Sequence, residues 1–186
     1  MPGRSRLRRS FAARRMTIAG YNPAMSILRY FMLLSLVLWI GGLIFFAFAV
    51  APTAFRVLPT RFMAGTLVGH ALTTLHWIAI VSGVVFLLTS LLYNRLADGD
   101  AHVFAGRHLL ICLMLALTLF SQFWITPRMV ALRAQVGTFD ATTLDNPLRI
   151  QFDALHVWSE RVEGAVLLLG LVVIYLAASA LSRPVR

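Results

Sequence analysis

Residues 30–51 read YFMLLSLVLWIGGLIFFAFAVA, a stretch without one charged side chain. As a helix rising about 1.5 Å per residue it is about 33 Å long, against a hydrocarbon core of about 30 Å. A small soluble domain cannot cover a rod that is apolar on every face, so the stretch reads as a membrane-spanning helix. The rest of the chain repeats the pattern. Residues 66–93 carry no formal charge, residues 108–125 are apolar up to Thr126 and Pro127, and residues 164–182 are charge-free and long enough to cross. With 59% hydrophobic residues and a mean hydropathy of +0.80, the chain is far more apolar than a soluble domain. The expected fold is all-α: a polytopic membrane protein built as a four-transmembrane-helix bundle. Its spans fall at about 27–51, 66–93, 108–126 and 160–182, within a membrane domain of 27–182.

The net charge of +10 is uneven in its placement. Six of the 17 basic residues, all 17 of them Arg, lie in the first 15 positions, and the first acidic residue is Asp98. Removing those six leaves the remainder near +4, so nucleic acid is not an expected partner and the lipid bilayer is. Residues 1–26 read as a basic, disordered tail that sets orientation and touches anionic lipid, with Met16 and Met25 as alternative starts. Arg8-Arg9-Ser10-Phe11 resembles a twin-arginine signal, but the apolar run that follows is too long for a signal peptide. An Arg-rich, acid-poor organellar presequence is the other reading. With four spans, the side holding both termini carries 11 basic residues and the opposite side six. That bias puts both termini in the cytoplasm and suits a multi-pass protein of the bacterial inner membrane. Cys112, the single cysteine, excludes an internal disulfide.

Punctuation comes from proline and glycine. Pro52 is expected to end span one or to open a short interfacial segment through Phe55. Pro127 closes span three, leaving 127–155 as an outer loop too long to lack structure. Within it, Met129, Leu132 and Val136 are spaced as an interfacial helix, and Asn146-Pro147 reads as a helix cap and first turn that lead into span four. Gly65 with Gly69, and Ala79 with Gly83, are small-xxx-small pairs that admit a neighbouring backbone. Gly41 and Gly42 after Trp39 point to close packing in span one.

The ionisable residues gather at the outer ends of spans two and four. His156, Glu160 and Glu163 are spaced i, i+4 and i+7 on one helix face, and His76 reaches that face if the two spans are neighbours. An ionisable group at such depth is costly unless paired or wet. The four residues are therefore a candidate shallow, outward-facing site for a divalent metal or a proton. In the plainer reading the carboxylates sit at the wet interface, paired with Arg128 or Arg133, while the histidines only hydrogen-bond helices. His108 and Cys112, i and i+4, form a second, weaker candidate that would take copper. Haem would need His76 and His156 as axial ligands, and nothing beyond their presence supports it. No nucleophile–base pair, phosphate loop or GxGxxG motif is readable, so an enzyme is not expected and the cofactor is left open.

Three stretches, WIGGLIFFAFAVAPTAF (39–55), ITPRMVALR (125–133) and FDALHVWSERVEGAVLLLGL (152–171), resemble the transmembrane-protein-205-like family, also catalogued as domain of unknown function 4149. The family pattern is matched at Trp39, Gly41, Gly42, Pro52 and Phe55, at Pro127 and Arg128, and at Phe152, His156 and Ser159. The family often has Asn where this chain has Glu163. The first span is also, more distantly, similar to the copper-resistance D membrane domain. The resemblance implies a small four-helix membrane protein, and the link of its eukaryotic members to metal-drug tolerance implies metal handling. Two functions follow as expectations. One is metal-ion handling or transport through the His/Glu face. The other is a structural or accessory subunit, as a homo-oligomer or within a larger membrane complex, with no chemistry of its own.

Overall fold

In a computed structural model the described residues are 23–98, 106–136, 143 and 145–181. The basic tail with its signal-like Arg pair, the turn around His102, residues 137–142 and the C-terminal residues 182–186 lie outside them. Four helices are long and apolar enough to span a membrane: α1 (Pro23–Val57), α2 (Arg61–Asp98), α3 (Gly106–Val136) and α4 (Pro147–Leu181). No strand occurs among the described residues.

Neither proline ends its helix, contrary to the expectation from sequence. Pro52 stands second in Ala51–Val57 and Pro127 second in Thr126–Val136. Each segment directly follows a π-helical turn, Phe46–Val50 and Ser121–Ile125. There the Ala51 N–H donates to the Phe46 carbonyl and the Thr126 N–H to that of Ser121, five residues back. Proline in a regular helix clashes with the carbonyl four residues earlier. For Pro52 and Pro127 that carbonyl belongs to Phe48 and Phe123, inside the widened turns, so the helix passes through. Residues 127–136 thus extend α3 and 147–155 open α4, and the 29-residue loop expected from sequence shrinks accordingly. At the start of α4 the Asn146 side-chain oxygen accepts from the Leu148 N–H at 2.9 Å, with Pro147 in the first turn.

Backbone packing runs from α1 to α2, α2 to α3 and α3 to α4, and α4 returns to α1 at Val37–Phe45. The core along this ring holds Leu36, Trp39, Ile40, Phe86, Ile111, Met114, Val166 and Val173. Gly83 is essential to it, since a Cβ there would lie 2.7 Å from the Trp39 ring and 2.6 Å from Leu115. Gly170 leaves room in the same way for Ile40, a contact the sequence did not flag. Of the glycine pair in span one, Gly42 faces Leu75 whereas Gly41 faces open space. The outer surface is apolar, with Phe45, Phe48, Leu109 and Tyr175 all exposed, as expected for a bundle whose solvent is acyl chain.

Candidate functional site

Buried polar side chains occur at several levels of the interior, and one group of them is bonded across three helices. On α2, His76 is 1% exposed. Its Nε2 lies 2.7 Å from Oε1 of Glu163 on α4, and its Nδ1 lies 2.8 Å from Oε1 of Gln122 on α3. The Ser121 hydroxyl donates to the same Glu163 oxygen at 3.1 Å. The π-helical turn Ser121–Ile125 makes this possible, because it turns two consecutive polar side chains, Ser121 and Gln122, inward together. Such turns often mark functional positions in helices.

Both imidazole nitrogens face oxygen acceptors. The Gln122 amide can present either its oxygen as an acceptor or its nitrogen as a donor to Nδ1. The orientation of the Gln122 amide is thus matched to the tautomer of the His76 ring.

Above the cluster a cavity of about 1210 Å³ opens between the helices. Glu163 and Gln122 form part of its wall, which continues through Leu43, Phe46 and Phe55 of α1, His70 of α2, Arg133 of α3 and Phe152 of α4. His76 is not in that wall. The pair thus has a sealed member, His76, and a cavity-facing member, Glu163, whose side chain is 14% exposed.

Of the four residues proposed from sequence as one site, the structure joins His76 directly to Glu163, while His156 and Glu160 line the same cavity without bonding to that pair. His156 pairs with Glu160 at 3.3 Å on the exposed part of α4, 46% and 66% exposed, and stacks on Phe152. His76 lies about 22 Å along α2 from Arg61, and Glu163 about 24 Å along α4 from Pro147, at about 1.5 Å per residue. Among the described residues no three of His, Cys, Asp and Glu gather as a metal site would require. His76 and His156 do not face one another as haem ligands would. His108 is buried at the other end of α2 and α3, with its Nε2 2.8 Å from the Ser90 hydroxyl, while Cys112 is exposed. Neither carboxylate of the plainer reading meets an Arg: Arg128 lies over Trp124 at 3.9 Å, and Arg133 reaches the Gly65 carbonyl at 2.9 Å. Gly65 and Gly69 accordingly make room for the Arg133 guanidinium rather than for a neighbouring helix. Ala79, 2% exposed, and Gly83 are the pair that packs into the core.

Ser121 and Gln122 escaped the sequence reading. Their signal was present, as two adjacent polar residues in the middle of a charge-free span, five and six positions before a proline.

A family described as a domain of unknown function, DUF4149, matches residues 34–138, more than half of the chain. The match bears out the assignment to domain of unknown function 4149, and it covers Trp39, Gly41, Gly42 and Pro52. It includes His76, Ser121 and Gln122 and stops before Glu163. No curated protein and no solved structure matches the chain.

Proposed function

The chain belongs to the family of domain of unknown function 4149, and from that premise we propose that it is a small membrane transporter whose cavity responds to protonation of Glu163. The observation that carries this reading is the His76–Glu163 bond, made across the bundle by helices without a backbone seam of their own. A charge-assisted bond is stronger and shorter than a neutral one. A proton arriving through the cavity at Glu163 discharges the carboxylate, and the strut between α2 and α4 weakens. Loss of the proton restores it. Opposite charges buried in a low-dielectric interior hold each other firmly only while both are present, which suits the pair to a two-position device.

A proton fits this cluster better than a metal ion. The lone pairs of Glu163 and the His76 ring are directed at each other, and the remaining groups, an amide and a hydroxyl, are weak ligands for zinc or copper. The arginine bias puts both termini in the cytoplasm, so the cavity opens on the outer side of the bacterial inner membrane.

The test is a distance. In a Cys112→Ser background, spin labels at Leu67 and Val157, both exposed, report the separation of α2 and α4 at the cavity end. The separation should change between neutral and acid pH, and Glu163→Gln should hold it at the acid value throughout. One distance at every pH would refute the reading.

A further inference from the structure

Arg133 is half-buried in the cavity wall, and its surroundings are built around it. Its Nη1 donates to the Gly65 carbonyl at 2.9 Å, and the guanidinium lies 5.2 Å from the centre of the Phe152 ring. A Cβ on Gly65 would come within 3.1 Å of Nη2, and one on Gly69 within 3.5 Å of Nη1. No carboxylate among the described residues pairs with it. Every acid in the cavity wall is otherwise engaged: Asp153 with Arg149 at 3.9 Å, Glu160 with His156, and Glu163 with His76. A guanidinium without a counter-ion in apolar surroundings is expensive. Most of its five N–H groups remain for a planar or tetrahedral anion.

The space beside it is walled mainly by apolar side chains, among them Leu43, Phe46, Phe55 and Phe62. α1 meets α4 along Val37–Phe45, and no comparable seam continues over Phe46–Val57. The cavity fills that gap, and a Cβ added to Gly164 on its wall would have nothing within 4 Å. The cavity therefore also has a lateral mouth between α1 and α4.

We infer that the cavity is a binding site for an anionic phospholipid, with the phosphate on Arg133 and an acyl chain in the gap between α1 and α4. The inference goes beyond the proton reading and does not depend on it.

The test is lipid retention by the purified full chain, read by native mass spectrometry after exchange against mixed micelles of phosphatidylglycerol and phosphatidylcholine. No pH gradient is involved, so a chain that fails the distance test can still pass this one. Wild type should retain phosphatidylglycerol in preference, and Arg133→Gln should lower that retention about tenfold, the loss expected when a charged hydrogen-bond partner is removed. Gly164→Leu, which fills the opening and leaves Arg133 intact, should lower retention of both lipids. Equal retention of the two lipids by wild type would overturn the site, as would unchanged retention in either variant. Displacement of the lipid by inorganic phosphate alone would overturn the assignment to a lipid.

Discussion

His76 and Glu163 meet at 2.7 Å from diagonally placed helices, and Gln122 and Ser121 from a third helix complete their hydrogen bonds. One buried junction therefore ties together α2, α3 and α4. The bond is unlike the other histidine–carboxylate contact, His156–Glu160, which is exposed, local to one helix and weak by comparison.

That difference predicts unequal costs. Glu163→Leu strands the His76 ring without its acceptor and should destabilise the bundle by about 2–4 kcal/mol, whereas Glu160→Ala should cost less than about 1 kcal/mol. The double variant His76→Leu/Glu163→Leu should recover much of the loss, because an apolar pair leaves no stranded polar group. Reversible unfolding in mixed micelles, read on all four proteins, gives the comparison. Additive losses in the double variant would show that the two residues do not act together.

Packing predicts a second contrast. Gly83→Ala forces a methyl against the Trp39 ring and Leu115 and should cost about 1–3 kcal/mol. Gly41→Ala meets open space and should be neutral or slightly stabilising, since alanine is the better helix former. Thermal unfolding of the two variants decides between this arrangement and one in which both glycines of span one are packed.

Helix continuity through Pro127 is a third expectation. The amides of residues 128–136 should be protected from hydrogen exchange as a helix is, because the π-helical turn before the proline leaves the ladder intact beyond it. Exchange at the rate of an open loop would put the end of α3 back at Thr126.

The four spans were legible because a charge-free run of this length admits few readings in a small chain. The lengths of α1 and α3 were not, and the reason is local: proline is a reliable stop only in a regular helix, and no composition signal distinguishes the π-helical turns that precede Pro52 and Pro127. The site was half legible. The depth of Glu163 in an apolar run marked it, and a helical face drawn through 156, 160 and 163 added two residues that line the cavity but pair with each other. The partners on α3 were overlooked because Ser121 and Gln122 are uncharged. Arg133 was weighed only as a counter-ion for carboxylates, whereas its position depends on two glycines of another helix, which pattern alone had assigned to helix packing.

Modification of Glu163 by a hydrophobic carbodiimide, followed by mass spectrometry of the peptide, tests the coupled pair most directly, since such reagents capture carboxyl groups that are protonated in apolar surroundings. Adduct at Glu163 should be greater in His76→Leu than in wild type at any given pH, because the carboxyl is left in apolar surroundings without the imidazole that holds it. Equal modification of wild type and His76→Leu at every pH, or none in either, would contradict the assignment of His76 and Glu163 as one proton-exchanging unit.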